Sequence, residues 1–172
     1  MTLAVKSLLV VAALALGGCN NPDRYGTGGP GGSGGTGGID TTGLGDPSNP
    51  SSIAYFNQTV GDRVLFAVDQ STISPEGRAV LTAQARWLMT NTGYAAIIEG
   101  HADEQGTREY NLALGARRAA AVQNFLISQG VPANRLRTIS YGKERPIELC
   151  STEECYSKNR RAVTVLSVGA GV

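Results

Sequence analysis

Histidine is nearly absent: His101 is the sole imidazole in 172 residues, beside three cysteines and one tryptophan. A bound metal needs several Cys, His or carboxylate ligands, and one histidine with no Cys-x-x-Cys pair supplies that set poorly. The same shortage counts against an enzyme. No nucleophile elbow, metal triad or second histidine accompanies His101, and Asp103 two positions on shares an extended face with it without implying acid–base work. No cofactor is expected. Basic runs are missing too: thirteen Lys and Arg stand against eleven Asp and Glu over residues 51–172, so nothing draws nucleic acid. Beyond the first sixteen residues no apolar run reaches the eighteen of a membrane span, so attachment to a membrane would be an anchor and not a crossing.

What is present begins with a leader. Lys6 supplies a positive start, and Leu8 to Leu16 form an apolar run too short to span a bilayer. Leu16-Gly17-Gly18-Cys19 then resembles a bacterial lipobox, which implies a signal peptide over residues 1–18 and a lipidated Cys19 as the mature N-terminus. The alternative is a secretory signal whose cysteine is incidental. Each buried acyl methylene contributes roughly 0.8 kcal/mol, so several chains on one cysteine anchor stably where one is marginal. Asn20 follows where an Asp would resemble an inner-membrane retention signal, and it favours the outer membrane.

Residues 19–50 read as a tether. From Gly26 to Gly38 nine of thirteen residues are glycine, and no apolar position recurs at a helical or strand period. A coil of about thirty residues spans roughly 30 Å on average and about 100 Å stretched. Cys150 and Cys155 remain once Cys19 is set aside, and in an exported protein they read as a disulfide closing a small loop, with two free thiols as the alternative.

Residues 51–172 suit one domain with one core. Arg63 to Val68 alternates as a strand, with Val64, Phe66 and Val68 on one side. Ser74-Pro75-Glu76 starts a helix that buries Leu81, Ala85, Leu88 and Met89 and ends near Asn91 to Gly93. Ala95 to Glu99 is a strand. A second helix runs from about Thr107 to Gln129, stopped by Gly130 with Pro132 beyond, on an expected stripe of Leu112, Ala116, Ala119, Val122 and Leu126. Strands follow at Leu136 to Tyr141 and Arg161 to Leu166. The order βαβαββ predicts an α+β sandwich, two main helices on one face of a small mixed sheet.

Gly100-His101-Ala102-Asp103-Glu104-Gln105-Gly106 is an acidic loop running into the second helix, which carries Asn111, Leu114 and the pair Arg117-Arg118. Asp103 and Arg118 lie fifteen residues apart, a spacing that can bring a carboxylate and a guanidinium to one cleft. Such a pair suits a zwitterion, Asp103 taking an ammonium and Arg118 a carboxylate through two parallel hydrogen bonds, with helix N–H groups nearby. Otherwise Asp103 caps the helix or pairs permanently with Arg118. This stretch resembles the peptidoglycan-binding signature of OmpA-like domains. Tyr141-Gly142-Lys143-Glu144-Arg145-Pro146 and Tyr156-Ser157-Lys158-Asn159-Arg160-Arg161-Ala162-Val163 narrow the resemblance to the peptidoglycan-associated lipoprotein family.

The resemblance implies an outer-membrane lipoprotein facing the periplasm, not an enzyme, that binds the diaminopimelate of peptidoglycan non-covalently through Asp103 and Arg118. It places Val68, Asp69, Ala102 and Leu114 around the same cleft. It implies the Tol-Pal system, with TolB and TolA as partners, in envelope integrity and cell division. Arg117 reads as a solvated or structural charge, His101 as a polar strand-end residue, Asn159 as a backbone cap, and Arg160 or Arg161 as the partner of a carboxylate in the fold. Gln105 and Arg108 depart from the family, which commonly has Arg and Pro there. A scaffold acting through protein partners alone is the alternative function.

Overall fold

The computed structural model describes residues 45–169; the leader, Cys19 and most of the tether lie outside the described residues. The described chain begins with a helical turn, α1 (Ile53–Tyr55), where Ser52 accepts a hydrogen bond from the Tyr55 N–H at 2.9 Å. It continues as a π-helical turn, Phe56–Gly61. Here the chain is fastened by side chains distant in sequence: Trp87 Nε1 donates to Pro50 O and Tyr94 Oη to Ser51 O, both at 2.8 Å. Phe56, Trp87 and Tyr94 pack in series as tilted rings with centroids 4.9 and 5.1 Å apart.

Strand β1 (Arg63–Leu65) is shorter than its alternation predicts. Phe66 adds one hydrogen bond, N–H to Arg160 O at 2.8 Å, before Ala67 to Gln70 turn away. Asp69 sits at φ 56°, a left-handed conformation that Asp tolerates and a strand does not allow. Helix α2 (Pro75–Thr90) starts as its chemistry dictates: Ser74 Oγ accepts from the Gly77 N–H at 3.1 Å, Pro75 fills the first turn and Glu76 faces the helix dipole. It buries Leu81, Ala85 and Leu88, but Met89 is 48% exposed, a correction to the expected core.

Strand β2 (Tyr94–His101) leads to α3 (Arg108–Ser128), capped by Thr107 Oγ1, which accepts from the Tyr110 N–H at 3.2 Å. The helix ends at Gly130, whose φ of 99° lets its N–H reach Ile127 O while the Val131 N–H reaches Leu126 O. A 3₁₀ turn, Ala133–Arg135, precedes β3 (Leu136–Gly142). Then comes α4 (Glu153–Asn159), a helix where the sequence reads as loop, and β4 (Arg161–Val168) closes the sheet. The tail is therefore strand, helix, strand and not two consecutive strands. Glu153 and Glu154 in the first turn and Lys158 in the last suit its dipole, but seven residues carry too little apolar periodicity to announce a helix.

The strand order is β1-β4-β2-β3, with β2 and β3 parallel and the other pairs antiparallel, so the sheet is mixed as expected. Register shows that both long helices share a face. Val64, Ala162 and Gly100 stand opposite one another across β1, β4 and β2; Val64 lies against Gly77 of α2, and Gly100 against Gly115 of α3. Among the described residues no helix is long and apolar enough to cross a membrane.

The inward face of α3 is not the predicted stripe. Leu112 is 44% exposed and Ala116 is exposed; the buried positions are Asn111, Leu114, Gly115, Arg118, Ala119, Val122 and Leu126. Three of those seven are polar or have no side chain, so an apolar stripe alone misplaces the phase of its first two turns.

Candidate functional site

The site exists because α3 comes unusually close to β2. A Cβ built on Gly100 would stand 1.8 Å from Gly115 O, and one on Gly115 would stand 2.8 Å from Gly100 O and 2.4 Å from Ser140 Oγ. Neither position can carry a side chain without moving the helix off the sheet. That contact sets Asp103, just past β2, beside the first turns of α3.

The acidic loop is held from both sides. Lys143 Nζ donates to Gly106 O at 2.7 Å and to Glu104 O at 3.3 Å, and Asn111 Nδ2 donates to Gln105 O at 2.7 Å. Between this loop, the turn after β1 and α3 lies a cleft of about 310 Å³ lined by Val68, Asp69, Asp103, Gln105, Gly106, Tyr110, Asn111, Leu114 and Arg118. Five of the six residues named from the sequence meet there. Ala102 does not line it: the residue is buried and its N–H donates to Gly142 O at 2.8 Å, pinning β2 to β3. Gln105 and Asn111, singled out in the signature, line it too; Tyr110 was missed, although helical phase places it one turn before Leu114.

Asp103 neither caps α3 nor pairs directly with Arg118. Its Oδ1 accepts from the Gln105 N–H at 3.2 Å, and its Oδ2 accepts from Arg160 Nη1 at 3.1 Å. Arg118 has no solvent exposure. Nε donates to Gln70 O at 2.8 Å, Nη1 to His101 O at 2.8 Å and Nη2 to Ala67 O at 3.1 Å, tying the turn after β1 to the end of β2. One N–H on each terminal nitrogen is left over. Burial pushes its pKa down to about 10, with nearby Asp103 opposing, so it stays charged at neutral pH. Tyr110 Oη donates to Asp69 Oδ1 across the mouth of the cleft, and the Arg117 guanidinium stands 5.9 Å from the Tyr110 ring centroid.

Of the two arginines offered for a carboxylate in the fold, Arg160 takes that role, and it takes two. Nε donates to Phe66 O at 3.2 Å, Nη1 to Asp103 and to Glu153 Oε2 at 3.3 Å, and Nη2 to Glu153 Oε1. It thus joins β1, the acidic loop and α4. Asn159 is the backbone cap its chemistry suggests, Oδ1 accepting from the Ile147 and Glu148 N–H groups at 2.9 and 3.2 Å. Cys150 and Cys155 are disulfide-bonded with Cα atoms 5.7 Å apart, closing the loop that leads into α4. Arg108 pairs with Glu144 at 3.2 Å.

His101 ends β2 with 2% exposure and no hydrogen-bond partner on either ring nitrogen. Desolvation, then Arg161 and Arg145, hold its pKa down to about 4, so the imidazole is neutral. No group of three or more His, Cys, Asp or Glu that could hold a metal occurs among the described residues.

Known proteins resemble this chain over most of its length. The OmpA family model matches residues 65–160. The peptidoglycan-associated lipoprotein of Rhizobium meliloti is 48% identical over 167 residues, 95% of this chain and 88% of that one. Its namesake in Brucella melitensis is 56% identical over 130 residues, 75% of this chain and 77% of that one. The crystal structure of the peptidoglycan-associated lipoprotein from Burkholderia pseudomallei superposes with a TM-score of 0.63 at 35% identity, covering 71% of this chain and all of that one. With the family model matched over residues 65–160 and a relative 48% identical over 95% of its length, the chain belongs to the peptidoglycan-associated lipoproteins of the OmpA family.

Proposed function

We propose that the protein is a non-enzymatic outer-membrane lipoprotein, anchored through Cys19, whose cleft holds the free end of diaminopimelate in the peptide of peptidoglycan. The observation that carries this reading is one cleft lined by Asp69 and Asp103 with Arg118 beside them. An ammonium meets carboxylates there, and a carboxylate meets the two spare Nη N–H groups of Arg118, the two parallel hydrogen bonds read from the sequence. Leu114 and Val68 supply apolar contact to the methylenes between. Two charge-assisted contacts at about 1.5–3 kcal/mol each give modest affinity, which many copies on one membrane multiply. The names of the relatives agree, since each is called peptidoglycan-associated. We place the protein in the Tol-Pal system, with TolB and TolA as partners in envelope integrity and division.

A second reading is favoured by the internal satisfaction of the site: Arg118 serves three carbonyls and Asp103 is bonded to Arg160. In that reading the domain is an OmpA-like scaffold working through protein partners. Calorimetric titration of the full chain in detergent separates the two. Muropeptide carrying diaminopimelate is expected to bind, and the same peptide carrying lysine is not, with Asp103→Ala abolishing the heat. A folded chain that binds neither but binds TolB supports the scaffold.

A further inference from the structure

Arg160 serves two carboxylates at once, and only one of them faces the cleft. Asp103 lines the cleft; Glu153 does not, lying on α4 with its side chain 66% exposed. One guanidinium between two acids leaves the trio with one net negative charge. Glu153 takes both Nη groups of Arg160, whereas Asp103 shares only Nη1. Asp103 therefore keeps acceptor capacity, its Oδ1 occupied only by the Gln105 N–H.

We propose that Glu153 is a specificity-determining residue of the cleft: by sharing Arg160 it leaves Asp103 a unit of negative charge for a ligand's ammonium. This rests on the cleft reading given above. Without Glu153 the Asp103–Arg160 pair is neutral as a unit, and an approaching ammonium meets a carboxylate whose charge is already matched. Arg118 sharpens the effect: without Glu153, Asp69 and Asp103 stand against Arg118 and Arg160, and the cleft has no net negative charge to offer a cation. Two features keep Glu153 at its post. The Cys150–Cys155 disulfide spans it in sequence and closes the loop ahead of α4, and Asn159 bonds that loop to the end of the helix. Glu153's carboxyl is held below the usual range by its hydrogen bond to Arg160, so it stays ionised throughout the neutral range.

The test compares two muropeptides on the full chain in detergent: one with diaminopimelate, and one with 2-aminopimelate, which keeps the distal carboxylate and lacks the distal amine. Glu153→Gln, which preserves shape and one of the two acceptor oxygens, is expected to lower affinity for the first about three- to tenfold, solvent screening limiting the change. Affinity for the second is expected to stay constant. Glu153→Asp, which keeps the charge, is expected to retain the wild-type ratio of the two affinities. An equal fall for both ligands in Glu153→Gln, or no fall for either, overturns the proposal. Wild-type protein that binds neither muropeptide overturns the cleft reading itself, and this inference with it.

Discussion

A guanidinium without solvent contact is worth as much to the fold as the carbonyls it satisfies. Arg118 serves three, from Ala67, Gln70 and His101, and lysine cannot reach three separate acceptors in a plane. Arg118→Lys is therefore expected to cost roughly 2–5 kcal/mol in urea denaturation as well as ligand affinity. Unchanged stability would show that these bonds are replaced by water. His101 gives a second prediction. Its folded pKa of about 4 lies below the unfolded value of 6.5, so between those limits the unfolded chain binds a proton the folded one refuses. Stability should fall as pH drops from 6.5 towards 4, by about 3 kcal/mol in all, with no further loss from this group below that. Glu99 Oε2, 3.6 Å from Nε2, opposes the effect and makes this an upper figure. His101→Leu should flatten that part of the stability–pH curve. At this scale the sequence exposed Asp103 and Arg118 through their spacing, but not the bonds of Arg160 to Asp103 and Phe66, 57 and 94 residues away. Contacts so distant in the chain leave no local pattern, and a buried arginine looks the same as a surface one.

At the scale of elements, the helix starts were legible because capping is local. Ser74 and Thr107 each bond an N–H three residues on, within reach of any reading of the chain. The phase of α3 was not, because its inner face carries Asn111, Gly115 and Arg118 among the apolar residues. That phase depends on the Gly100–Gly115 contact. Gly100→Ala puts a methyl 1.8 Å from a backbone carbonyl that cannot rotate aside, so α3 must lift. We expect a loss of about 3 kcal/mol or more, and with it the cleft, since Asp103 and Arg118 are placed by the same approach. Thermal unfolding and muropeptide titration of the variant check both; a Tm within a few degrees of wild type would mean that the interface yields. Strand β1 was overestimated because Val64, Phe66 and Val68 alternate correctly, yet Asp69 turns the backbone left-handed and carries Val68 out to line the cleft.

Across the whole molecule, the α+β architecture followed from element order, while the extra helix α4 and the charge network behind the cleft did not. The point where the tether joins the domain is a matter of mechanics as much as of structure. In the wall-anchoring role proposed above, load carried by the tether arrives at residues 50–52. There the chain is bolted by Trp87 and Tyr94 through two hydrogen bonds to its carbonyls, with Phe56 buried just behind. Tension would have to draw out this three-ring plug before it could reach β1, the edge strand that a direct pull would unzip from β4 one bond at a time. The fastening works as a strain relief, passing force to α2 and β2 in the body of the fold and sparing the strand whose end shapes the cleft.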